Sequence, residues 1–467
     1  MSQRKETTVL ILALLVTLGL VGGGIFWLKD KIFPSDEQIS QTSAKSQPSN
    51  LQPISFGSTT LVPGQASDAK IQGIEALARG DYQQAVSKLE TALQSKRNDP
   101  ETLIFLNNAR IGNKKNYTIA ASVPLGTDPN GSLEILRGIA QAQKEINTQG
   151  GIKGIPLRVG IADDKNNPET AKKIATNLVK DAQVLGVVGP YASDVTLAAS
   201  SIYNNGKLVI ISPVSTSVKI SNLSPYIFRT IPSDFMAARS LGNYMANKLQ
   251  QKKAAVFFNS QSDYSKSLKS EFVSAVSLEG GQVVSEFDLS KSDFSASKSV
   301  AQAIKRGAEV LMLAPNTGTL DKALQVVQAN DKRLPLLAGD DVYSIKTLEV
   351  GQKPAEGMVV AIPWHIDSQT NPKFTRDSRQ LWNADVNWRT ALAYDATKAL
   401  IAALEQNPNR TGVQRALAAT DFSTMGASGT IRFLPSGDRN AQVQLVTIER
   451  KEPSRSRTGY DFVPVAK

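Results

Sequence analysis

The chain has no cysteine and a single histidine, His365, in 467 residues. The first absence excludes a disulfide framework, a thiolate metal site, a cysteine nucleophile and a lipid-modified cysteine anchor. The second leaves no histidine-rich metal site and no histidine-coupled nucleophile that does not lean on that one ring. Also missing are the phosphate-binding loop G-x-x-x-x-G-K-S/T, the nucleophile elbow G-x-S-x-G and the zinc helix H-E-x-x-H. An enzyme is therefore not expected, and neither is a cofactor or a bound metal. Lys and Arg outnumber Asp and Glu by 53 to 42, a net charge of +11. The basic residues are scattered and no run of them interleaves with aromatics, which reads as a solvated basic surface rather than a nucleic-acid footprint. What remains, 41% hydrophobic and 20% charged, is an ordinary globular mixture with enough length for two or three domains.

Val9–Leu28 (VLILALLVTLGLVGGGIFWL) carries no charge, and at about 1.5 Å per residue a helix of that length spans the roughly 30 Å apolar thickness of a bilayer. It exceeds a usual signal-peptide core and lacks an A-x-A site, so residues 1–32 read as an uncleaved membrane anchor. Arg4 and Lys5 precede the apolar run while Lys29 and Lys31 follow it, a weak charge bias for an amino terminus in the cytoplasm and a single-pass chain whose bulk is extracytoplasmic. Residues 33–65 are rich in Ser, Gln, Thr and Pro, too poor in apolar groups to repay ordering, and read as a flexible tether. Residues 66–116 turn helical. In GIEALARGDYQQAVSKLETAL the positions of Gly73, Gly80, Tyr82, Ala85, Leu89 and Ala92 resemble one tetratricopeptide repeat, with Gly73 and Ala85 letting two helices approach and Tyr82 and Leu89 filling their seam. A plain helical hairpin fits the same residues. Either form must pack on something else, since one such unit cannot bury its own face.

From Tyr117 onward short apolar runs alternate with amphipathic stretches. Nine runs read as strands: YTIAASVPL, PLRVGIADD, VLGVVGP, KLVIISP, AAVFFNS, GQVVSEFDL, EVLMLAP, LPLLAGD and GMVVAIP. Helical stretches such as LEILRGIAQAQKEIN and ETAKKIATNLVKD lie between them. Regular alternation predicts an α/β protein with parallel sheets of right-handed βαβ units, and nine strands are too many for one compact sheet, so two lobes are expected.

EINTQGGIKGIPLRVGIADDKNNP, VVGPYASDVTLAAS with VIISPVSTS, PYIFRTIPSD, and PAEGMVVAIP with GTIRFLPSGDR together resemble the type I periplasmic-binding family, in its leucine/isoleucine/valine-binding branch. The likeness covers about residues 117–448, and the turn carrying Gly150, Gly151 and Gly154 is its most specific part. It implies a binding domain over 117–467 with three crossovers: a first lobe of about 117–229 and 361–428, a second of about 230–360 and 429–467. It also implies a ligand held in the cleft at the carboxyl ends of the strands. By position, Ser193 matches the serine whose hydroxyl holds a ligand carboxylate. Val214, Ser215 and Thr216 match the segment that brackets carboxylate and ammonium, Tyr264 an aromatic closing from the second lobe, and Asp340 the acid that receives the ammonium.

Neutral donors for a carboxylate and one acid for an ammonium are what a buried zwitterion requires. Simpler roles exist for each residue. Ser193 and Thr216 can cap helices, Tyr264 can be a packing residue, and Asp340 can pair with Lys346. Val214 replaces a smaller alanine of the amino-acid binders, and a Lys or Arg in the pocket would shift preference toward acidic compounds. Asp163 and Asp164 are expected to brace a loop, and His365 to lie at the surface. The resemblance implies capture of a small ligand, an amino acid of the branched-chain type or a related one, for an ABC permease. Two alternatives stay open. One is an interaction module regulating envelope or peptidoglycan synthesis without a small ligand, which needs a filled cleft. The other is a sensory ectodomain.

Overall fold

A computed structural model describes residues 54–465. The apolar run Val9–Leu28 and most of the expected tether lie outside that range; among the described residues no helix is long and apolar enough to cross a membrane. All nine expected strands form, in two sheets. The first sheet contains β1 (Ile54–Ser55), β2 (Tyr117–Val123), β3 (Leu157–Asp163), β4 (Val184–Val188), β5 (Ile210–Ser212) and β6 (Ile227–Arg229), in the order β1-β3-β2-β4-β5-β6. It is parallel except for β1, which runs antiparallel to β3. The second contains β7 (Lys253–Phe258), β8 (Gln282–Asp288), β9 (Val310–Ala314), β10 (Leu336–Ala338) and β11 (Val359–Ile362). After a separate hairpin, β12 (Thr424–Gly426) with β13 (Gly429–Ile431), it is completed by β14 (Gln444–Arg450) and β15 (Tyr460–Pro464), in the order β15-β14-β11-β10-β9-β7-β8.

The chain passes between the lobes three times: after β6, after β11 and after the hairpin. β11 stays with the second sheet to Ile362, so the return to the first lobe falls slightly later than expected. There the helix Trp388–Gln406 packs along Pro129–Thr148 beside the first sheet. The interior strands β4, β5, β9 and β10 are almost wholly buried, as continuous apolar runs covered on both faces should be. In the turn before β3, Gly150, Gly151 and Gly154 all have positive φ, and a Cβ on Gly151 would lie 2.5 Å from the Ile155 carbonyl oxygen. Only glycine fits there.

The tether expected over 33–65 does not hold for its described end: residues 54–62 lie against the domain, where β1 pairs with β3 and the Leu61 and Val62 amides donate to Glu101. Beyond them the helices Asp68–Ala78, Tyr82–Ser95 and Pro100–Ile111 form as the sequence predicts. Gly73 does bring the first two together, since a Cβ there would meet Leu89 at 2.7 Å. Tyr82 does not fill that seam: it lies against Gly112 and donates its hydroxyl to Asn113 Oδ1 at 2.7 Å. The surface the hairpin needs is provided by the first lobe. Asn108 Nδ2 donates to the Val159 carbonyl at 2.7 Å, and its Oδ1 accepts from Gln143 at 2.9 Å.

Candidate functional site

Where the two sheets end, loops from both lobes enclose one cavity of about 40 Å³. Asn166, Ala192, Ser193, Asp194 and Val214 line it from the first lobe, and Ser262, Tyr264, Asn316, Thr317, Asp340 and Asp341 from the second. Of the six residues singled out by sequence, Ser193, Val214, Tyr264 and Asp340 share this wall. Ser215 and Thr216 do not reach it. The Ser215 hydroxyl turns into the first lobe, bonding Thr196 Oγ1 at 2.8 Å and donating to the Tyr191 carbonyl at 2.9 Å. Thr216 is buried behind the wall, its Oγ1 without a hydrogen-bond partner among the described residues, while its carbonyl accepts from the Asp234 amide.

The capping alternative fails for both hydroxyl residues. Ser193 is the first residue of the helix Ser193–Asn205, whose cap position is Ala192; its Oγ instead accepts from the Ser217 amide at 3.2 Å. The turn after Thr216 is capped by Ser217. Lys346 pairs with Asp321 at 2.6 Å rather than with Asp340. Asp340 follows β10 and accepts a hydrogen bond from the Tyr264 hydroxyl at 2.7 Å. Burial pushes the Asp340 carboxyl up, and burial with the neighbouring Asp340 charge pushes the Tyr264 phenol up as well.

Sequence reasoning missed Arg389. Its guanidinium is buried beside the cavity, with Nη2 3.1 Å from Asp341 Oδ1, Nε donating to the Tyr191 hydroxyl at 3.0 Å, and Nη1 donating to the Tyr343 carbonyl at 3.3 Å. One signal was available: Arg389 stands in the first turn of Trp388–Gln406, where the helix dipole disfavours a cation. Burial pushes Asp341 up to about 7 against the pull of Arg389. Asp194 joins the lobes from the other side, its Oδ1 accepting from the Asp263 amide at 2.8 Å, and Lys219 reaches Asp263 at 2.7 Å.

Asp163 and Asp164 brace their loop as expected, Asp164 accepting from Ser122 Oγ at 2.8 Å and from the Asn166 amide at 2.9 Å. His365 is not at the surface. It is buried, its Nε2 3.1 Å from the Phe462 carbonyl, and burial pushes its pKa down, toward the neutral ring.

Asp234 opens the helix Asp234–Asn247 behind Thr216, and burial pushes its carboxyl up to about 7 from an ordinary 3.8. A carboxyl raised on folding favours the folded state fully below about pH 4, and that contribution is lost as pH rises through about 7. Asp234→Asn should therefore gain on wild type by a few kcal/mol as pH climbs across this window. Urea unfolding of both proteins at several pH values checks this; a pH-independent difference would return Asp234 to an ordinary carboxyl.

The family described as periplasmic binding protein matches residues 117–453, well over half of the chain. The leucine-, isoleucine-, valine-, threonine- and alanine-binding protein of Pseudomonas aeruginosa is 27% identical over 311 residues, 64% of this chain and 81% of that protein. The Leu/Ile/Val-binding protein of Escherichia coli is 23% identical over 306 residues, 64% and 82% of the two chains. Among solved structures, the branched-chain amino acid transporter substrate-binding protein of Streptococcus pneumoniae with isoleucine superposes with a TM-score of 0.65 at 22% identity, covering 75% of this chain and all of that one. A solute-binding protein of an ABC transporter from Rhodopseudomonas palustris with 4-hydroxybenzoate gives 0.63 at 18% identity, covering 74% and 96%. At these identities the structural likeness establishes the fold, a two-lobed α/β architecture that carries unlike ligands.

Proposed function

Because the chain belongs to the periplasmic binding protein family, a family of non-enzymatic, extracytoplasmic solute-binding proteins, we propose that it captures an α-amino acid by lobe closure for an ABC-type importer. The ligand would be of the branched-chain type that its relatives' names carry, or a related one. The observation that carries this reading is the pairing of Tyr264 with Asp340 on one side of the cavity, facing Ser193 on the other. An ammonium fits the buried acid, and a carboxylate fits the hydroxyl at the amino-terminal end of Ser193–Asn205. Val9–Leu28 would tether the domain to the cell membrane.

A ligand shifts an opening equilibrium only by its differential affinity for the two states. Small-angle scattering with a panel of amino acids should therefore show compaction of wild type alone. Tyr264→Ala/Asp340→Ala should retain weak capture without closure, and Ser193→Ala should lose capture. A ligand at 100 times its Kd should also add about 2.7 kcal/mol of stability.

A specific observation favours a second reading. The cavity is only about 40 Å³, and the Arg389–Asp341 ion pair stands in the cleft. A cleft filled by its own side chains suits an interaction module of the cell envelope, with the tetratricopeptide-like hairpin contributing to the docking face. If no amino acid compacts or stabilises wild type, that reading takes over.

A further inference from the structure

Arg389 stands between the lobes, immediately behind the part of the cavity wall that Asp341 forms. Its partner Tyr191 directly precedes Ala192 and Ser193 on the first-lobe wall, and its partner Asp341 is itself part of the second-lobe wall, next to Asp340. With an α-ammonium at Asp340 and an α-carboxylate near Ser193, a ligand side chain directed along the wall past Asp340 would meet Asp341 and the guanidinium paired with it. A guanidinium carries five N–H donors. Three are used, by the Tyr191 hydroxyl, the Tyr343 carbonyl and Asp341, which among the described residues leaves two. The Trp388 ring lies 4.2 Å from its carbon and holds the plane in place.

We propose that Arg389 is a specificity-determining residue, selecting α-amino acids whose short side chain ends in an oxygen acceptor and rejecting branched aliphatic ones. This rests on the amino-acid reading of the cleft and replaces its branched-chain type with a polar, related one. A hydroxyl, amide or carboxylate oxygen takes up the spare donors and leaves the Asp341 pair intact. An isobutyl or sec-butyl group takes up none. Seated against the guanidinium, such a group shields the spare donors from water without giving them an acceptor, so the cost of desolvating them is not repaid. A site built around polar groups rejects the ligand that cannot pair them much more strongly than an apolar pocket rejects an extra methylene.

The test is calorimetry of wild type, Arg389→Met and Arg389→Lys with serine, asparagine, glutamate, leucine and isoleucine. Wild type should bind at least one of the first three 10-fold or more tighter than either of the last two. Which of the three leads tells hydroxyl, amide and carboxylate apart. Arg389→Met should lose that preference and gain on leucine, and Arg389→Lys, which keeps the charge but not the planar fork, should fall between. A merely structural arginine would lower all affinities together and leave their ratio unmoved, which would overturn the proposal. Wild type preferring leucine or isoleucine overturns it too, while leaving the amino-acid reading standing. Folded wild type that binds none of the five overturns both. Where Arg389→Met does not fold, an unchanged ratio in Arg389→Lys is decisive against it.

Discussion

Asp340→Ala is expected to weaken α-amino acid binding by about 2–5 kcal/mol, the loss that follows when one member of a buried charge pair is truncated. Asp340 is only 8% exposed and sits two residues after the end of β10, where the Tyr264 hydroxyl holds one of its oxygens. That hydrogen bond orients the carboxylate without neutralising it. Burial has already pushed the Asp340 carboxyl up, so an arriving ammonium stabilises the ionised form and gains an acceptor that water no longer solvates well. Asp340→Asn keeps the shape and one acceptor oxygen and should be intermediate. Calorimetry on variants shown by circular dichroism to be folded decides it; unchanged affinity in either variant places the ammonium elsewhere.

Glu101→Ala should lower stability by about 3–5 kcal/mol, the usual result of removing one partner from a buried ion pair. Glu101 is completely buried in the helix Pro100–Ile111. One oxygen accepts from the Leu61 and Val62 amides at 2.6 and 3.2 Å, and the other accepts from the Thr60 hydroxyl at 2.6 Å and pairs with Lys70 at 2.7 Å. Alanine leaves those three donors without an acceptor and Lys70 with Asp99 alone. The loss should concentrate in residues 54–65, so hydrogen exchange at Leu61 and Val62 should accelerate along with the fall in urea midpoint. Lys70→Met/Glu101→Leu should recover only part of it, because the backbone donors remain unpaired. Unchanged protection at these amides would mean that Glu101 does not hold the segment.

The composition of 33–65 hid this arrangement. Low apolar content predicts a tether, and the acid that binds the end of that stretch lies about 40 residues onward, on a helix. Similar reasons explain the other missed elements. β6 is three residues long, and β14 and β15 join the second sheet as antiparallel additions from the far end of the chain. In the helix Trp388–Gln406 fifteen of nineteen residues are buried, so no polar face marks a stripe for periodicity to detect.

The nine core strands, their alternation with helices and the glycine turn before β3 were legible in residue order, because each rests on contacts within a few residues: alternating burial, 3.6-residue spacing and backbone geometry that only glycine adopts. Of the six residues that the family resemblance implied, four line the cavity, and the place of the cleft follows from the fold, since a loop that follows a parallel strand opens at its carboxyl end. Which hydroxyl faces the cavity was not legible, because Ser193 and Ser215 are alike in sequence, and the hydrogen bonds from Ser215 to Thr196 and Tyr191 turn it inward. Nor was Arg389, which meets Asp341 from 48 residues away and Tyr191 from 198. Contacts at such separations depend on how the lobes pack and where the crossovers bring the chain back, and no local pattern encodes them.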